Sequence, residues 1–510
     1  MELFDFFTAL HREANLFLTW NFVFYYGSIL FITWQLYRLV INPLTHPILK
    51  QLPHKPFRPI LGNFYEIARE EAISPYERWI REYQSSIIAY HGMMGSVRIM
   101  VADPDFMKHI LVTNVRNYPK PKFLFARLQE VIGNGLVTSE GQLHASHRKL
   151  CNGSFKPSIL QNFVPIVEKY CQQLCEKWME QVAADPEAEY ITLAPTDGFT
   201  CMSLDAIGEC GFGYKFNSLV RPDAGDVMSF QRMLGVFGFS WKLLIPFFTK
   251  LPTKEKRQWD QDLAVVDSCV TTVIAEKKKS LSEITDDEHV HDLLTSLLLA
   301  KDEDSGEGLS EKEIRDHVMT FMVAGHETTS SGLLWCLLSL GRHPEIQDKL
   351  RAEVSAIDGP LTWDTLDRLK YLTAVVKETL RLYPPVSLTF RKAKSDDQYK
   401  GMFIPKDMVV NLAIGALHRN PKHWEDPLEF KPERFLSESG IMPYTFLPFI
   451  AGPRMCIGYK FALMEMKVTL AILLRKLEFR PVPGITYKKK QRLTMRPNPS
   501  LELRVSRVKN

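Results

Sequence analysis

The stretch "FLPFIAGPRMCIGYKFALMEMK", Phe446 to Lys467, sets one cysteine among neighbours that a structural thiol would not need. It fits F-x-x-G-x-R-x-C-x-G, with Phe449, Gly452, Arg454, Cys456 and Gly458 at the fixed positions. Glycines let a backbone lie against a flat ligand. The run after Cys456 reads as a helix whose amide end and dipole point at the sulfur and favour thiolate over thiol. Arg454 adds a fixed positive charge for a carboxylate. A lone cysteine at a helix start is ordinarily structural, but this surrounding pattern reverses that expectation and makes Cys456 the ligand of an iron.

Working outward, the 510-residue chain is 45% hydrophobic and 24% charged, enough apolar surface for a sizeable core. A net charge of +4 with no basic block excludes nucleic acid as a partner. The eight cysteines are scattered irregularly, unlike a secreted disulfide framework, so a reducing compartment is expected. Cys171 and Cys175, four apart, read as two core thiols.

From Leu16 to Ile41 only Arg38 is charged, about 25 residues or roughly 38 Å of helix, the length of a bilayer span. Trp20, Tyr25, Tyr26, Trp34 and Tyr37 leave an interfacial helix as the alternative. Arg38, Lys50, Lys55 and Arg58 precede the next acid, Glu66, which puts residues 42 onward in the cytoplasm. The expected organisation is an N-terminal membrane anchor over 1–41, a proline-rich linker over 42–63 whose prolines 43, 47, 53, 56 and 59 break helix and sheet, and one catalytic domain over 64–510. A second apolar patch, Val236 to Pro252, reads as core rather than membrane contact.

The body is predicted mainly α with small β-sheets, its strand-like runs being short, at 96–102 and 407–414. Ser310-x-x-Glu313 is a capping box that starts a helix running to about Leu340. In its middle "AGHETT", Ala324 to Thr329, combines a glycine with adjacent threonines, poor helix formers that predict a local opening. Glu327 and Thr328 set an acid beside a hydroxyl, a mid-helix pair that by itself reads as packing and solvent contact. In "KETLRLYPP" Glu378 and Arg381 share a helix face, and in "GQLHASHRKL" His144 and Arg148 do. Glu66-x-x-Arg69 has the same spacing as Glu378-x-x-Arg381 but reads as a solvated pair.

On these motifs the chain resembles the cytochrome P-450 family, the haem-thiolate monooxygenases, from the proline-rich linker to the C-terminus. The resemblance implies the cytochrome P-450 fold behind a transmembrane helix, haem b with Cys456 as axial ligand, and thiolate donation that favours O–O cleavage. It implies Arg454, Arg148, Arg391 and His144 on the haem propionates, although a tryptophan often stands at the position of His144. Phe449, Gly452 and Gly458 would shape the cysteine loop. Ala324 would keep the haem face clear, Gly325 would open a groove for O2, and Glu327 and Thr328 would supply protons. Glu378, Arg381 and Arg434 of "PERF" would brace the haem pocket. Segments 122–128, 321–328, 386–390 and 493–495 and the patch near Val236 would line a chamber for a lipophilic small molecule.

The activity so implied is insertion of one oxygen atom from O2, with electrons from NADPH through a separate NADPH-cytochrome reductase, at the endoplasmic reticulum membrane. "AGHETT", "KETLRLYPP" and "HRNPKHW" resemble eukaryotic, and within them fungal, wording, which implies a fatty acid, terpenoid or polyketide of specialised metabolism. The alternatives are a haem-thiolate isomerase, dehydratase or lyase that needs no external electrons, and a non-catalytic haem sensor with His326 as second axial ligand.

Overall fold

Residues 22–235, 237, 251–283, 292–301, 306, 308–437 and 440–508 are described by a computed structural model. Around the cysteine loop run α1 (Gly141–Asn152), α2 (Val164–Ala183), α3 (Pro195–Phe212), α4 (Glu311–Arg342), α5 (Lys370–Leu382) and α6 (Tyr459–Lys476). Helix α4 starts at the predicted capping box. The Ser310 side chain accepts from the Glu313 amide at 3.3 Å, and the Glu313 carboxylate accepts from the Ser310 amide at 2.9 Å. Most of its residues from Ile314 to Gly341 are buried, including His317 and Ser330, so it is a core helix enclosed by others rather than an amphipathic surface helix. Glycines set two close approaches: a Cβ on Gly325 would lie 2.9 Å from Ile207 of α3, and one on Gly332 would lie 3.1 Å from Met466 of α6.

The predicted opening at "AGHETT" is not seen; α4 is helical throughout. The hydroxyls of Thr328 and Thr329 donate to the carbonyls of Ala324 and Gly325 at 2.7 and 3.0 Å. Such back-bonding lets a threonine stay inside a helix despite its poor propensity.

A four-stranded sheet lies to one side, built from β1 (Ile87–His91), β2 (Val97–Val101), β3 (Thr389–Lys392) and β4 (Val409–Leu412) in the order β1-β2-β4-β3. Both strand runs expected from sequence are here, as β2 and β4, and they pair in parallel with Arg98 opposite Val409. A C-terminal hairpin, β5 (Lys488–Gln491) and β6 (Met495–Asn498), lies against α4, with Trp335 Nε1 and Ser331 Oγ donating to the Met495 carbonyl at 2.7 and 2.8 Å.

At the N-terminus the structure alters one expectation, the helix break at the start of the linker. Residues 22–36 are α-helical, a π-helical turn follows at Tyr37–Ile41, and Asn42–Thr45 continues the helix through Pro43, so the expected break at residue 42 is absent. The π turn explains the continuity, because the Asn42 amide bonds the Tyr37 carbonyl and the register shifts ahead of the residue that has no N–H. Among the described residues no helix is long and apolar enough to cross a membrane. Residues 16–21 of the expected span and most of the patch near Val236, residues 236 and 238–250, lie outside the described residues.

Candidate active site

Cys456 is the one exposed cysteine of the eight. Its surroundings nevertheless push the thiol above its ordinary value by burial, against the pull of the Gly458 amide and Arg148. A sulfur enclosed by the protein yet left uncovered belongs to the floor of an internal space. The Gly458 amide and Arg148 pull toward thiolate, in the direction expected of the helix end, and a bound cation would add to that pull against burial.

The loop is held from behind. The Cys456 amide donates to the Phe449 carbonyl at 2.9 Å. Gly452 adopts φ +71°, and a Cβ there would lie 2.2 Å from the Leu111 carbonyl, so only glycine fits. At Gly458 a Cβ would meet only Phe155 at 3.7 Å, which is ordinary contact. Protein atoms thus explain Gly452 and leave Gly458 to be explained by a ligand.

Beside the loop four basic side chains converge. Arg454 Nη1 donates to the Ser139 carbonyl at 2.8 Å and pairs with Glu140. Arg148 donates to the Met455 carbonyl. Arg391 is buried, and burial pushes it down to about 10, with Arg454 adding repulsion. Its Nη1 reaches the Phe390 carbonyl at 2.7 Å, but its Nη2 is buried with no partner among the described residues. Lys120, which sequence reasoning missed, donates to the Val137 carbonyl at 2.6 Å and is pushed well below its ordinary value by burial, then by Arg391 and Arg454. His144 is buried in the same field, and burial followed by Arg454, Lys120 and Arg148 pushes it down to about 3, leaving it neutral. Among the described residues, Glu140 is the carboxylate that acts on this group.

Four bases against one acid, with an orphaned guanidinium nitrogen, call for added anionic oxygen. The two carboxylates of haem b fit that deficit, and the uncovered sulfur of Cys456 fits its iron. Lys120 and Glu140 had only weak sequence signals, an ordinary lysine between two prolines and an ordinary helix-preceding acid.

On α4, Ala324, Gly325 and Thr328 are half-buried among buried neighbours, and Ala324 and Thr328, four apart, share one face. A Cβ on Gly325 would crowd Ile207 of α3, so its missing side chain also serves helix packing. Glu327 is turned to the hairpin: its carboxylate accepts from Thr494 Oγ1 at 2.7 Å and from Arg496 at 2.6 and 3.1 Å. The acid and the hydroxyl of the expected pair therefore have separate partners. His326 Nδ1 donates to the Met322 carbonyl, 3.0 Å away, and its ring lies 5.0 Å from that of Phe230. Two residues from both Ala324 and Thr328, it sits on another side of α4 and cannot serve as the second axial ligand of the sensor reading.

Behind the loop, Arg381 grips Glu378 with both nitrogens at 2.7 and 2.8 Å, and Arg434 reaches the same carboxylate at 3.1 Å. Arg381 also donates to the carbonyls of His418, Pro427 and Glu429. This is the bracing network that the resemblance implied.

The family model "Cytochrome P450" matches residues 52–505. Relatives include "Cytochrome P450 4A6" of Oryctolagus cuniculus, 32% identical over 90% of this chain and 91% of its own length, and "Cytochrome P450 monooxygenase 128" of Postia placenta, 32% identical over 90% and 92%. "Taurochenodeoxycholic 6 alpha-hydroxylase" of Sus scrofa is 32% identical over 86% of this chain and 87% of its own length. With the cysteine loop, the bracing network and a match across nearly its whole length, the chain belongs to the cytochrome P450 family, of eukaryotic type, as a monooxygenase that uses haem b.

Proposed function

We propose that this monooxygenase inserts one oxygen atom from O2 into a lipophilic small molecule held over Ala324 and Thr328 of α4. The observation that carries this reading is the uncovered sulfur of Cys456 beside a cluster of bases short of anions. Cys456 would hold the iron; Arg454, Arg148, Arg391, Lys120 and neutral His144 would hold the propionates; Phe449, Gly452 and Gly458 would fix the loop. The haem, when bound, supplies the chemistry that activates O2.

The chain's own part is to bind, orient and move protons. Thr328 presents a hydroxyl on the accessible face, and Glu327 is the nearby acid from which protons would come. The carboxylate and hydroxyl are already satisfied by other groups, so delivery requires Glu327 to leave Arg496.

For substrate, the apolar lining segments fit a fatty acid, a terpenoid or a polyketide, and the named relative from Sus scrofa adds a bile acid conjugate as a test compound. NADPH-cytochrome reductase is the proposed electron donor. The proposed location is the endoplasmic reticulum membrane, with the chain anchored through residues 1–41 and the body in the cytoplasm. Phe24 and Leu30 are 78% and 70% exposed on the helix over 22–36, which supports a lipid setting for it.

The test is the carbon monoxide difference spectrum of the reduced, haem-loaded protein, followed by NADPH-dependent turnover with reductase on that panel. Cys456→Ala is expected to abolish both the thiolate signature and turnover. An unchanged signature in that variant would refute the ligand, and product formation without NADPH would point to isomerase, dehydratase or lyase chemistry instead.

A further inference from the structure

We infer that the C-terminal hairpin is a latch that holds Glu327 away from Thr328, with Arg496 and Thr494 as its positioning residues. This rests on the reading of Glu327 as the proton source. Both carboxylate oxygens are engaged, Oε1 by Thr494 at 2.7 Å and by Arg496 Nε at 3.1 Å, Oε2 by Arg496 Nη2 at 2.6 Å. Arg496 Nη2 also donates to Ser330 at 3.2 Å, and the Glu327 side chain is only 8% exposed. A buried, bidentate, charge-assisted pair of this kind does not open by itself at appreciable population.

Thr494 in the hairpin turn and Arg496 in β6 both reach Glu327 on α4. Residues 493–495 are also a proposed lining segment, so the stretch that would meet a ligand is also the one that holds the acid. The hairpin is tied to a second proposed lining segment as well. The Met495 amide donates to the Pro385 carbonyl at 2.9 Å, and Ser387 Oγ donates to Gln491 at 2.6 Å. A shift of either segment would therefore move Arg496 relative to Glu327.

The test uses the full haem-loaded chain without substrate. In Arg496→Gln, hydrogen exchange over residues 488–498 is expected to rise several-fold before any reductase is added. With reductase and NADPH, substrate-free NADPH oxidation ending in hydrogen peroxide or water is expected to rise about fivefold. Arg496→Lys should restore most of the original value, and Thr494→Val should shift both readings in the same direction by less.

Adding Glu327→Gln to Arg496→Gln should remove the extra oxidation, a result that loss of fold would not give. Unchanged exchange and unchanged substrate-free oxidation in Arg496→Gln would overturn the latch. A rise that persists after Glu327→Gln would overturn it too. If the unsubstituted chain oxidised no NADPH with any compound of the panel, the monooxygenase assignment would fail by itself, while the exchange measurement would still judge the latch.

Discussion

Glu66-x-x-Arg69 and Glu378-x-x-Arg381 have the same spacing and opposite fates. Glu378 and Arg381 are both fully buried and bond each other. In the first motif Arg69 is exposed and turns to Tyr65. Glu66 is instead bound by Arg78 at 2.6 Å, by the indole of Trp79 at 3.0 Å and by Lys55 at 3.5 Å, with its side chain only 11% exposed. The solvated pair expected there is thus half wrong: the arginine is solvated, while the glutamate anchors a second network between the N-terminal segment and the helix carrying Trp79. Spacing puts two residues on one face, but burial of that face decides whether they choose each other.

The sharpest way to break the contrast is Glu378→Ala, which strands a buried guanidinium and should cost about 3–5 kcal/mol. Thermal unfolding and haem retention check it, and both should fall. Replacing Glu378 and Arg381 together by leucine tests whether charge or the carbonyls matter. Since His418, Pro427 and Glu429 each lose a donor, the double variant should still be destabilised by at least about 2 kcal/mol in denaturant unfolding.

Glu66→Ala leaves the Trp79 indole without its acceptor, while Lys55 keeps Glu82 at 3.1 Å, and should cost about 1–3 kcal/mol with haem content unchanged. Burial alone would raise the Glu66 carboxyl, but the Trp79 bond, Lys55 and Arg78 outweigh it and hold it below its ordinary 4.5. Its folded value being depressed, Glu66 contributes stability above about pH 4.5 that is lost as pH falls through the folded value. Glu66→Gln should flatten that acid-side loss in a stability–pH curve. Arg69→Ala, at the small end, should change stability by no more than about 0.5 kcal/mol.

Much of the site was legible because its chemistry needs fixed offsets. The cysteine loop, Arg454, Arg391 and the Glu378 network lie where local spacing or a resemblance could place them. What stayed hidden depends on long-range partners. Lys120 meets Arg391 and Arg454 from far along the chain, and Arg496 finds Glu327 across 169 residues. The local opening expected at Ala324 to Thr329 from poor helix formers is absent because Thr328 and Thr329 bond back to the helix's own carbonyls and Gly325 meets Ile207 of another helix. The fold class followed from periodicity, whereas the continuity of helix through Pro43 turned on a local π register that composition does not encode.

That register has a mechanical consequence. At its end the N-terminal helix is clasped by the β1–β2 turn: Gly95, at φ +74°, leaves room where a Cβ would lie 2.9 Å from the Arg38 carbonyl and from Pro43, and His91 bonds the Pro43 carbonyl at 3.2 Å. The stalk is therefore keyed to the body like a shaft in a slot, and one residue inserted before Tyr37 would swivel everything upstream by about 100°. Whatever grips the stalk also sets the orientation of the body that carries Cys456.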